Sequence, residues 1–247
     1  MFETTVTEGV LRVRRPGARW LSTGWRGGEW AGDAAYNVSV PAGWTADAIE
    51  DYLAERLARA GFADDGPALF TAIDLRHARG ARLGPVEVVT TAGLSNPASL
   101  PLDPDGQDRA RDPGAFSPGT VNVVVGTTRS LAPGALANLV AVAAETKAAT
   151  LLETTGFTGT TTDAVVAAAD PEGEPAPFSG SATPVGDAAR ACVRDSLLAA
   201  LRARYGDRGP PPSVDDAEYG VVCDRRATVF RPELDAERGS EPGSERR

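Results

Sequence analysis

Apolar and polar residues alternate along this chain in short runs, and in three places the apolar residues recur at helical spacing instead. Short alternating runs bounded by Gly or Pro are typical of β-strands. They predict strands at residues 4–13, 19–23, 36–40, 68–73, 86–91, 120–127 and 163–169. Segments with a period of about 3.6 residues predict helices at 45–60, 132–153 and 186–205.

Capping residues support the bounds of the first two helices. Thr45 is expected to cap the first helix, with Asp47 in its first turn and Gly61 as its C-terminal stop. Pro133 suits the first turn of the second helix, where a missing N–H costs nothing.

Strands occur in groups and only three long helices are predicted, so a regular βαβ alternation is absent. This order favours an α+β fold, with a layered mixed or antiparallel sheet packed by about three long helices in one domain at 1–206. Residues 207–247 are rich in Pro, Asp, Glu and Arg and predict a disordered polar tail, with a possible short strand at 219–223. Loops are expected at 24–32 (GWRGGEWAG) and in a Pro/Asp/Gly-rich insert at 98–118.

Charge and targeting patterns narrow the class of protein. The formal net charge is −9 at pH 7, which argues against nucleic-acid binding, because that function needs a basic surface. The first residues lack the basic and apolar regions of a signal peptide, and no run of about 18 apolar residues predicts a membrane span. Cys192 and Cys223 are expected to be free thiols. The expected location is cytoplasmic, without a membrane partner, and the oligomeric state stays open.

Common catalytic signatures are missing from the sequence. It contains no GxSxG elbow, no GxxxxGK[ST] phosphate loop and no HExxH motif. With one histidine and two distant cysteines, neither a zinc site nor another cofactor is expected. His77 would be the base of any Ser-His-Asp triad, although a lone histidine more often has a structural role.

Lys147 is the only lysine, against 24 arginines. On a helical wheel it lies within about 80° of Leu136, Leu139 and Leu151, so it is expected on the apolar face of the second helix. A compact amine there, once desolvated, would release its proton more readily and could relay protons or stabilise an oxyanion. The alternative is a lysine that extends from the edge of a buried face towards water.

Four clusters of small polar residues adjoin apolar elements, and together they predict a pocket. They read TTAGLSNP, GTVNVVV, TTGFTGTTTD and FSGSATPVG, at residues 90–97, 119–125, 154–163 and 178–186. Each cluster alone is also compatible with ordinary turns and caps. Asn122 is the exception, because a buried amide in a valine-rich strand costs free energy unless it is hydrogen-bonded. Thr120 is expected on the same strand face as Asn122.

These clusters resemble the adenosylcobinamide amidohydrolase family of corrinoid salvage. The matching motifs are TAID, TAGLSNP, GTVNVVV, ALANLVAVAAETKAATL, TGTTTDAVVAA and FSGSATPVG, in that order, and the likeness covers roughly residues 5–205. The insert near 100–115 and the tail lie outside it. The resemblance implies hydrolysis of the amide between the aminopropanol arm and a propionate side chain of the corrin ring. The corrinoid would then be the substrate, and the products adenosylcobyric acid and 1-aminopropan-2-ol.

Roles for individual residues follow from position and residue type. Amide hydrolysis needs a nucleophile, donors to the oxyanion and a proton for the amine. We predict catalytic roles for Lys147, Asp163 and Thr160. Substrate contacts are predicted for Ser95, Asn96, Thr120, Asn122, Thr161, Thr162, Ser179 and His77.

Three other functions remain open at this point. A corrinoid-binding protein without activity would use the same small polar residues. A self-processing amidase would be cleaved just before Thr160, Thr161 or Thr162 and use that threonine as nucleophile. A nucleotide-dependent enzyme is the least favoured, because the phosphate loop is missing.

Overall fold

The structure is a computed structural model that describes residues 1–41, 44–45, 47–104, 120–214, 216–217 and 220–232. Most of the predicted insert and the last fifteen residues of the predicted tail therefore lie outside the described residues. The division at residue 206 and the disorder of the tail stay predictions.

Three helices and fifteen strands form in the described ranges, which confirms the α+β class. The helices are α1 (Ile49–Ala60), α2 (Pro133–Thr155) and α3 (Pro184–Tyr205). The strands are β1 (Glu3–Thr7), β2 (Val10–Arg14), β3 (Arg19–Ser22), β4 (Gly28–Ala31), β5 (Ala34–Ser39), β6 (Ala68–Thr71), β7 (Arg79–Leu83), β8 (Val86–Ala92), β9 (Pro97–Ser99), β10 (Val121–Thr127), β11 (Ser130–Leu131), β12 (Gly159–Thr160), β13 (Ala164–Ala169), β14 (Pro175–Ala176) and β15 (Val221–Val222).

A four-stranded sheet has the order β1-β2-β5-β6. The predicted strand at 4–13 is in fact the β1–β2 hairpin, turned at Glu8 and Gly9, whose φ angles are 49° and 71°. Two successive positive φ angles are the geometry of a tight hairpin turn that matches strand twist. β5 and β6 are parallel, and α1 makes the connection between them.

A six-stranded mixed sheet has the order β4-β3-β13-β10-β8-β7. β10 and β13 are parallel, with Asn122 opposite Ala164, and all other neighbours are antiparallel. α2 connects β10 to β13, as a parallel pair requires. Both strands therefore begin at the same end of the sheet, and α2 returns the chain to that end.

The two sheets stack face to face, with helices on both outer sides. Apolar side chains between them include Leu11, Trp20, Leu69 and Val166. α2 and α3 cover the other face of the six-stranded sheet, and α1 covers the other face of the four-stranded sheet. A two-stranded sheet, β11-β14, and a three-stranded sheet, β12-β9-β15, extend this layered core. The strand β15 confirms the predicted strand within the range 219–223.

α2 is long and apolar enough to cross a membrane, with a mean hydropathy of 1.3 over its most apolar 18 residues. In the structure its buried side chains, such as Leu136, Leu139 and Leu151, pack in the core against the six-stranded sheet and α3. Burial in the protein therefore accounts for these apolar side chains.

Two further predictions of local structure are wrong. Thr45 does not cap α1: the helix begins at Ile49 after Ala48, and the Thr45 hydroxyl donates to Asp47 at 2.8 Å instead. The loop prediction for 24–32 missed β4, whose side chains are mostly exposed and show no apolar alternation. Gly61 does end α1, with a φ of 72°.

Both cysteines are free, as predicted. Cys192 lies on the buried face of α3, and this burial raises the pKa of its thiol to about 11. Cys223 is exposed.

Candidate active site

Three of the four polar clusters meet where β10 and β13 begin and α2 ends. Val121 and Ala164 start their strands side by side, so the residues just before them are neighbours in space. Lys147 lies two turns before the end of α2 and is 8% exposed, which confirms its predicted inward orientation. The parallel strand pair and its crossover helix therefore bring three separate sequence motifs to one place.

Lys147 forms a buried ion pair with Asp163. Its Nζ donates to Asp163 Oδ2, and the two side chains are 10% and 11% exposed. Nζ also donates to the carbonyl of Thr158 at 3.4 Å. Both partners accept hydrogen bonds, so the Lys147 amine acts as a donor here, and its side chain ends inside the protein instead of extending into water. Loss of one member of such a pair is strongly destabilising.

Asp163 is the centre of the cluster because four donors reach its carboxylate. Oδ1 accepts from the Val121 N–H at 2.8 Å and from the hydroxyl of Thr160. Oδ2 accepts from the Thr160 N–H at 3.0 Å and from Lys147. The carboxylate is thereby fixed in orientation, with a threonine oxygen on one side and an ammonium on the other.

Gly159 leaves the space that this ion pair occupies. A Cβ at this position would lie 2.5 Å from Asp163 Oδ2 and 2.6 Å from Lys147 Nζ. Both distances are shorter than a van der Waals contact, so only glycine fits beside the closed pair.

Replacing Gly159 by Ala is expected to separate Lys147 from Asp163 and to lower kcat by at least about tenfold, since misplaced catalytic groups lose rate steeply. The matched control is Gly134→Ala, because a Cβ at Gly134 on the first turn of α2 meets no atom within 4 Å. Steady-state rates and thermal unfolding of both variants test this. A Gly159→Ala variant with the rate of the control would contradict the close packing.

The segment of three threonines at 160–162 is hydrogen-bonded to the TAGLSNP segment at 91–97. Asn96 Nδ2 donates to Thr161 Oγ1 at 2.6 Å, and the Thr161 N–H donates back to the Asn96 carbonyl at 3.2 Å. Asn96 is buried and Thr161 is exposed. Ser95, half-buried, precedes Asn96 in the same turn. The predicted neighbours from two motifs thus form one wall of the site.

Thr120 and Thr162 join the starts of β10 and β13. Their hydroxyl oxygens are 3.1 Å apart. Thr120 is buried and Thr162 is half-buried. This pair lies directly beside the Asp163 cluster along the chain and adds two hydroxyl groups to it.

Asn122 belongs to a buried amide network that was not predicted as a whole. Its Nδ2 donates to Asn37 Oδ1 at 3.0 Å and to the Phe70 carbonyl at 2.9 Å. Asn37 Nδ2 donates in turn to Thr91 Oγ1 at 2.9 Å. Asn122 is 1% exposed, and its Nδ2 has the hydrogen bonds expected from the sequence, whereas its Oδ1 has no partner among the described residues. The network joins the two sheets below the site.

Two predicted substrate contacts lie away from the cluster. Ser179 is buried and donates to the carbonyl of Ala135 at 2.6 Å, in the first turn of α2. Twelve residues of helix, about 18 Å, separate Ala135 from Lys147. His77 accepts from Arg76 at 3.2 Å, in a 3₁₀ turn before β7, the outer strand two places from β10. Ser179 is thus held at the other end of α2, and the substrate contacts of Ser179 and His77 stay predictions.

The cluster contains no grouping of metal ligands. Within the described ranges, no three His, Cys, Asp or Glu side chains lie close enough together to hold a metal ion. The strong acid and base groups at the centre of the site are therefore Lys147 and Asp163.

This is an α+β protein with two stacked sheets between helices, and a Lys-Asp-Thr cluster lies at one end of the sheets. A family model described as adenosylcobinamide amidohydrolase matches residues 2–209. A curated relative with that name, from Halobacterium salinarum, is 58% identical over 237 residues, covering 94% of this chain and 100% of the relative. Another from Methanosarcina mazei is 26% identical over 194 residues, covering 74% and 90%.

The chain belongs to the adenosylcobinamide amidohydrolase family, as its motifs indicated. Among solved structures, a β-aminopeptidase from a Burkholderia species aligns with a TM-score of 0.42 and 14% identity, covering 86% of this chain and 85% of that one.

Proposed function

We propose that this protein hydrolyses the amide that joins aminopropanol to the corrin side chain of adenosylcobinamide. The products are adenosylcobyric acid and 1-aminopropan-2-ol, which serves corrinoid salvage in the cytoplasm. Family membership supports the reaction, and one structural observation carries its location: Thr160 donates its hydroxyl to a carboxylate that is also paired with a buried ammonium.

Asp163 and Thr160 supply the groups that amide cleavage requires. Asp163 takes the hydroxyl proton while Thr160 Oγ1 attacks the amide carbonyl, which forms a C–O bond and a tetrahedral oxyanion. The proton then passes to the amine nitrogen, the C–N bond breaks and aminopropanol leaves. Water cleaves the resulting ester and restores Thr160. In a second route, Asp163 activates a water molecule, which attacks the amide carbonyl directly in place of Thr160.

Lys147 and the neighbouring hydroxyl groups act as donors in this proposal. The ammonium of Lys147 holds the Asp163 carboxylate and stabilises negative charge that develops beside it. The hydroxyl groups of Thr161, Thr162 and Thr120, with the amide of Asn96, line the space next to Thr160 and bind the polar side chains of the corrinoid. Asn122 supports this wall through its contacts with both sheets.

Incubation with adenosylcobinamide is expected to release 1-aminopropan-2-ol in proportion to enzyme and time. The Asp163→Asn variant is the matched control, because it should bind the corrinoid without releasing amine. Binding by the wild-type protein without release would instead establish a non-catalytic corrinoid carrier. Intact-mass measurement of the active protein should give one uncut chain, whereas cleavage before Thr160, Thr161 or Thr162 would establish self-processing.

A further inference from the structure

The short strand β15 comes from the C-terminal part of the chain, yet it belongs to the same sheet as Thr160. The order of this three-stranded sheet is β12-β9-β15, and Thr160 is the second residue of β12. β9 begins directly after Asn96, whose side chain and carbonyl contact the segment at 160–162. β15 lies beyond residues 2–209, the range that the family model matches, so family membership implies no role for it.

The register of the three strands places Val221 close to the ion pair. Ala98 pairs with Gly159 on one side and with Val221 on the other. Neighbouring strands lie about 4.8 Å apart, so Gly159 and Val221 are about 10 Å from each other. Residues directly opposite each other project to the same face of a sheet. A Cβ on Gly159 would point at the ion pair, so Val221 projects to the face of this sheet on which the ion pair lies.

Close contacts hold β15 and the residues beside it against β9. The Cys223 N–H donates to the Ser99 carbonyl at 3.0 Å. A Cβ on Gly220 would lie 3.1 Å from the Pro97 carbonyl oxygen, which is tighter than an ordinary van der Waals contact. Pro97 is also the partner of Thr160 in the register. These contacts therefore fix the position of β15 relative to Thr160.

Exposure of the side chains rises from the buried cluster towards β15. Lys147 and Thr160 are buried, and Ala98 is half-buried. Val221 is 42% exposed. Cys223, two residues later and thus on the same face of the strand, is also exposed. A substrate that reaches the cluster across β9 therefore meets Val221 and Cys223.

We propose that β15 is one wall of the corrinoid site and that Val221 and Cys223 contact the corrin ring beside the scissile side chain. This inference rests on the proposed function. The corrin ring is far larger than the amide that is cleaved, so a substrate whose amide lies at Thr160 must also cover neighbouring surface. Val221 offers an apolar side chain to the apolar edge of the ring, as the linings of ligand sites usually do. It thereby helps to select corrinoids without taking part in bond cleavage.

Corrinoid binding is expected to protect the thiol of Cys223 from alkylation by N-ethylmaleimide. The Asp163→Asn variant is used, because it should bind adenosylcobinamide without cleaving it, and calorimetry first gives its dissociation constant. At about ten times this concentration, alkylation of Cys223 should slow about tenfold, because only the free protein reacts. Burial raises the pKa of the Cys192 thiol, so Cys192 should react slowly in either state, and peptide mass identifies the modified residue. An unchanged alkylation rate at saturating corrinoid overturns the proposal.

Leu83 supplies a matched control position for the alkylation experiment. It is 48% exposed, similar to Val221, and it also lies on an edge strand. Leu83 pairs with Val86 at the end of the six-stranded sheet opposite to the start of β10. β10 has seven residues, so this end is about 20 Å from the site. The thiol of Leu83→Cys, combined with Cys223→Ser and Asp163→Asn, should be alkylated equally fast with and without adenosylcobinamide. Equal protection at both positions would overturn the proposal, since it would report a change of the whole protein.

Replacing Val221 by Asp is expected to raise KM about tenfold and to leave kcat within about threefold, because the charge weakens binding away from the reacting atoms. Val221→Leu keeps the apolar contact and should keep KM close to that of the wild type. Leu83→Asp is the control for an added charge on an exposed strand and should leave KM unchanged. If Val221→Asp does not fold, Val221→Ala decides, because it removes the apolar contact without adding a charge. A KM equal to that of Leu83→Asp refutes the contact with Val221.

Failure of this proposal and failure of the hydrolytic function are distinguishable. If adenosylcobinamide protects Cys223 but the wild-type protein releases no aminopropanol, the wall is supported and the hydrolytic function is refuted. An active wild-type enzyme in which Cys223 is not protected, and in which Val221→Asp has the KM of Leu83→Asp, refutes the wall alone.

Discussion

Replacing Asp163 by Asn is expected to lower kcat by about 10²–10⁴-fold, the usual contribution of a positioned acid–base group. An amide cannot take the proton of Thr160. The same change is expected to lower the free energy of unfolding by about 3–5 kcal/mol, because it leaves the buried ammonium of Lys147 without its counter-charge. Aminopropanol release and urea unfolding measure the two effects.

A second substitution separates chemistry from stability. Lys147→Met removes the charge and keeps a side chain of similar length, so Asp163→Asn with Lys147→Met should recover most of the lost stability. The double variant should stay inactive, since Thr160 still lacks a proton acceptor. A stable double variant with wild-type kcat would show that the ion pair is structural alone.

Lys147→Arg tests the same pair from the other side. The guanidinium of arginine is larger than the ammonium of Lys147. The backbone of Gly159 packs closely against this position, since a Cβ there would lie 2.6 Å from Nζ, so the space for a larger group is missing. Although the charge is kept, this variant should fold and be inactive. An active Lys147→Arg enzyme would contradict a catalytic lysine.

Replacing Thr160 by Val is expected to reduce kcat by about three orders of magnitude or more, as loss of a nucleophile does. Valine has nearly the same shape, so the buried position stays filled and the change removes one hydroxyl group. Thr160→Ser keeps the hydroxyl and should retain activity within about tenfold. Single-turnover rates with adenosylcobinamide, and trapping of a covalent corrinoid ester in the wild type, are the measurements.

The neighbouring threonines are matched controls for Thr160. Thr161→Val and Thr162→Val leave the contact between Thr160 and Asp163 in place, and they should mainly raise KM. If Thr161→Val is inactive while Thr160→Val is active, the exposed Thr161 is the nucleophile and the assignment of Thr160 is wrong. A modest loss in Thr160→Val without any trapped ester would favour direct attack by water.

The hydrophobic periodicity of the sequence predicted the helices and strands that bury one whole face in the core. Lys147 shares the face of α2 that carries Leu139 and Leu151, and all three are buried. β7 was missed because its residues lie on the exposed edge of the sheet, where nothing selects alternating apolar side chains. The start of α1 was misplaced because Ala48, in a left-handed conformation, precedes the helix without a side-chain cap.

The sequence predicted the parts of the site in which motifs precede adjacent strands. It did not predict the contacts that depend on how the two sheets pack against each other. Asp163 and Thr120 precede the neighbouring strands β13 and β10, so their proximity follows from the strand pairing. Asn37 reaches Asn122 and Thr91 from the other sheet, and no local pattern reports which sheets will stack. The position of Ser179, at the start of α2, was not predicted for a related reason: a motif beside an apolar helix does not reveal which end of another helix it will meet.

The groups of the ion-pair cluster and the contacts that support it come from different parts of the chain. Lys147, Thr160 and Asp163 lie within one continuous stretch of helix, turn and strand, and the ion pair joins residues only 16 positions apart. Asn37 and Phe70, which contact Asn122 from the other sheet, come from the first third of the sequence. Substitutions at these two positions can therefore alter how the two sheets meet beneath the cluster while every residue of the ion pair stays unchanged.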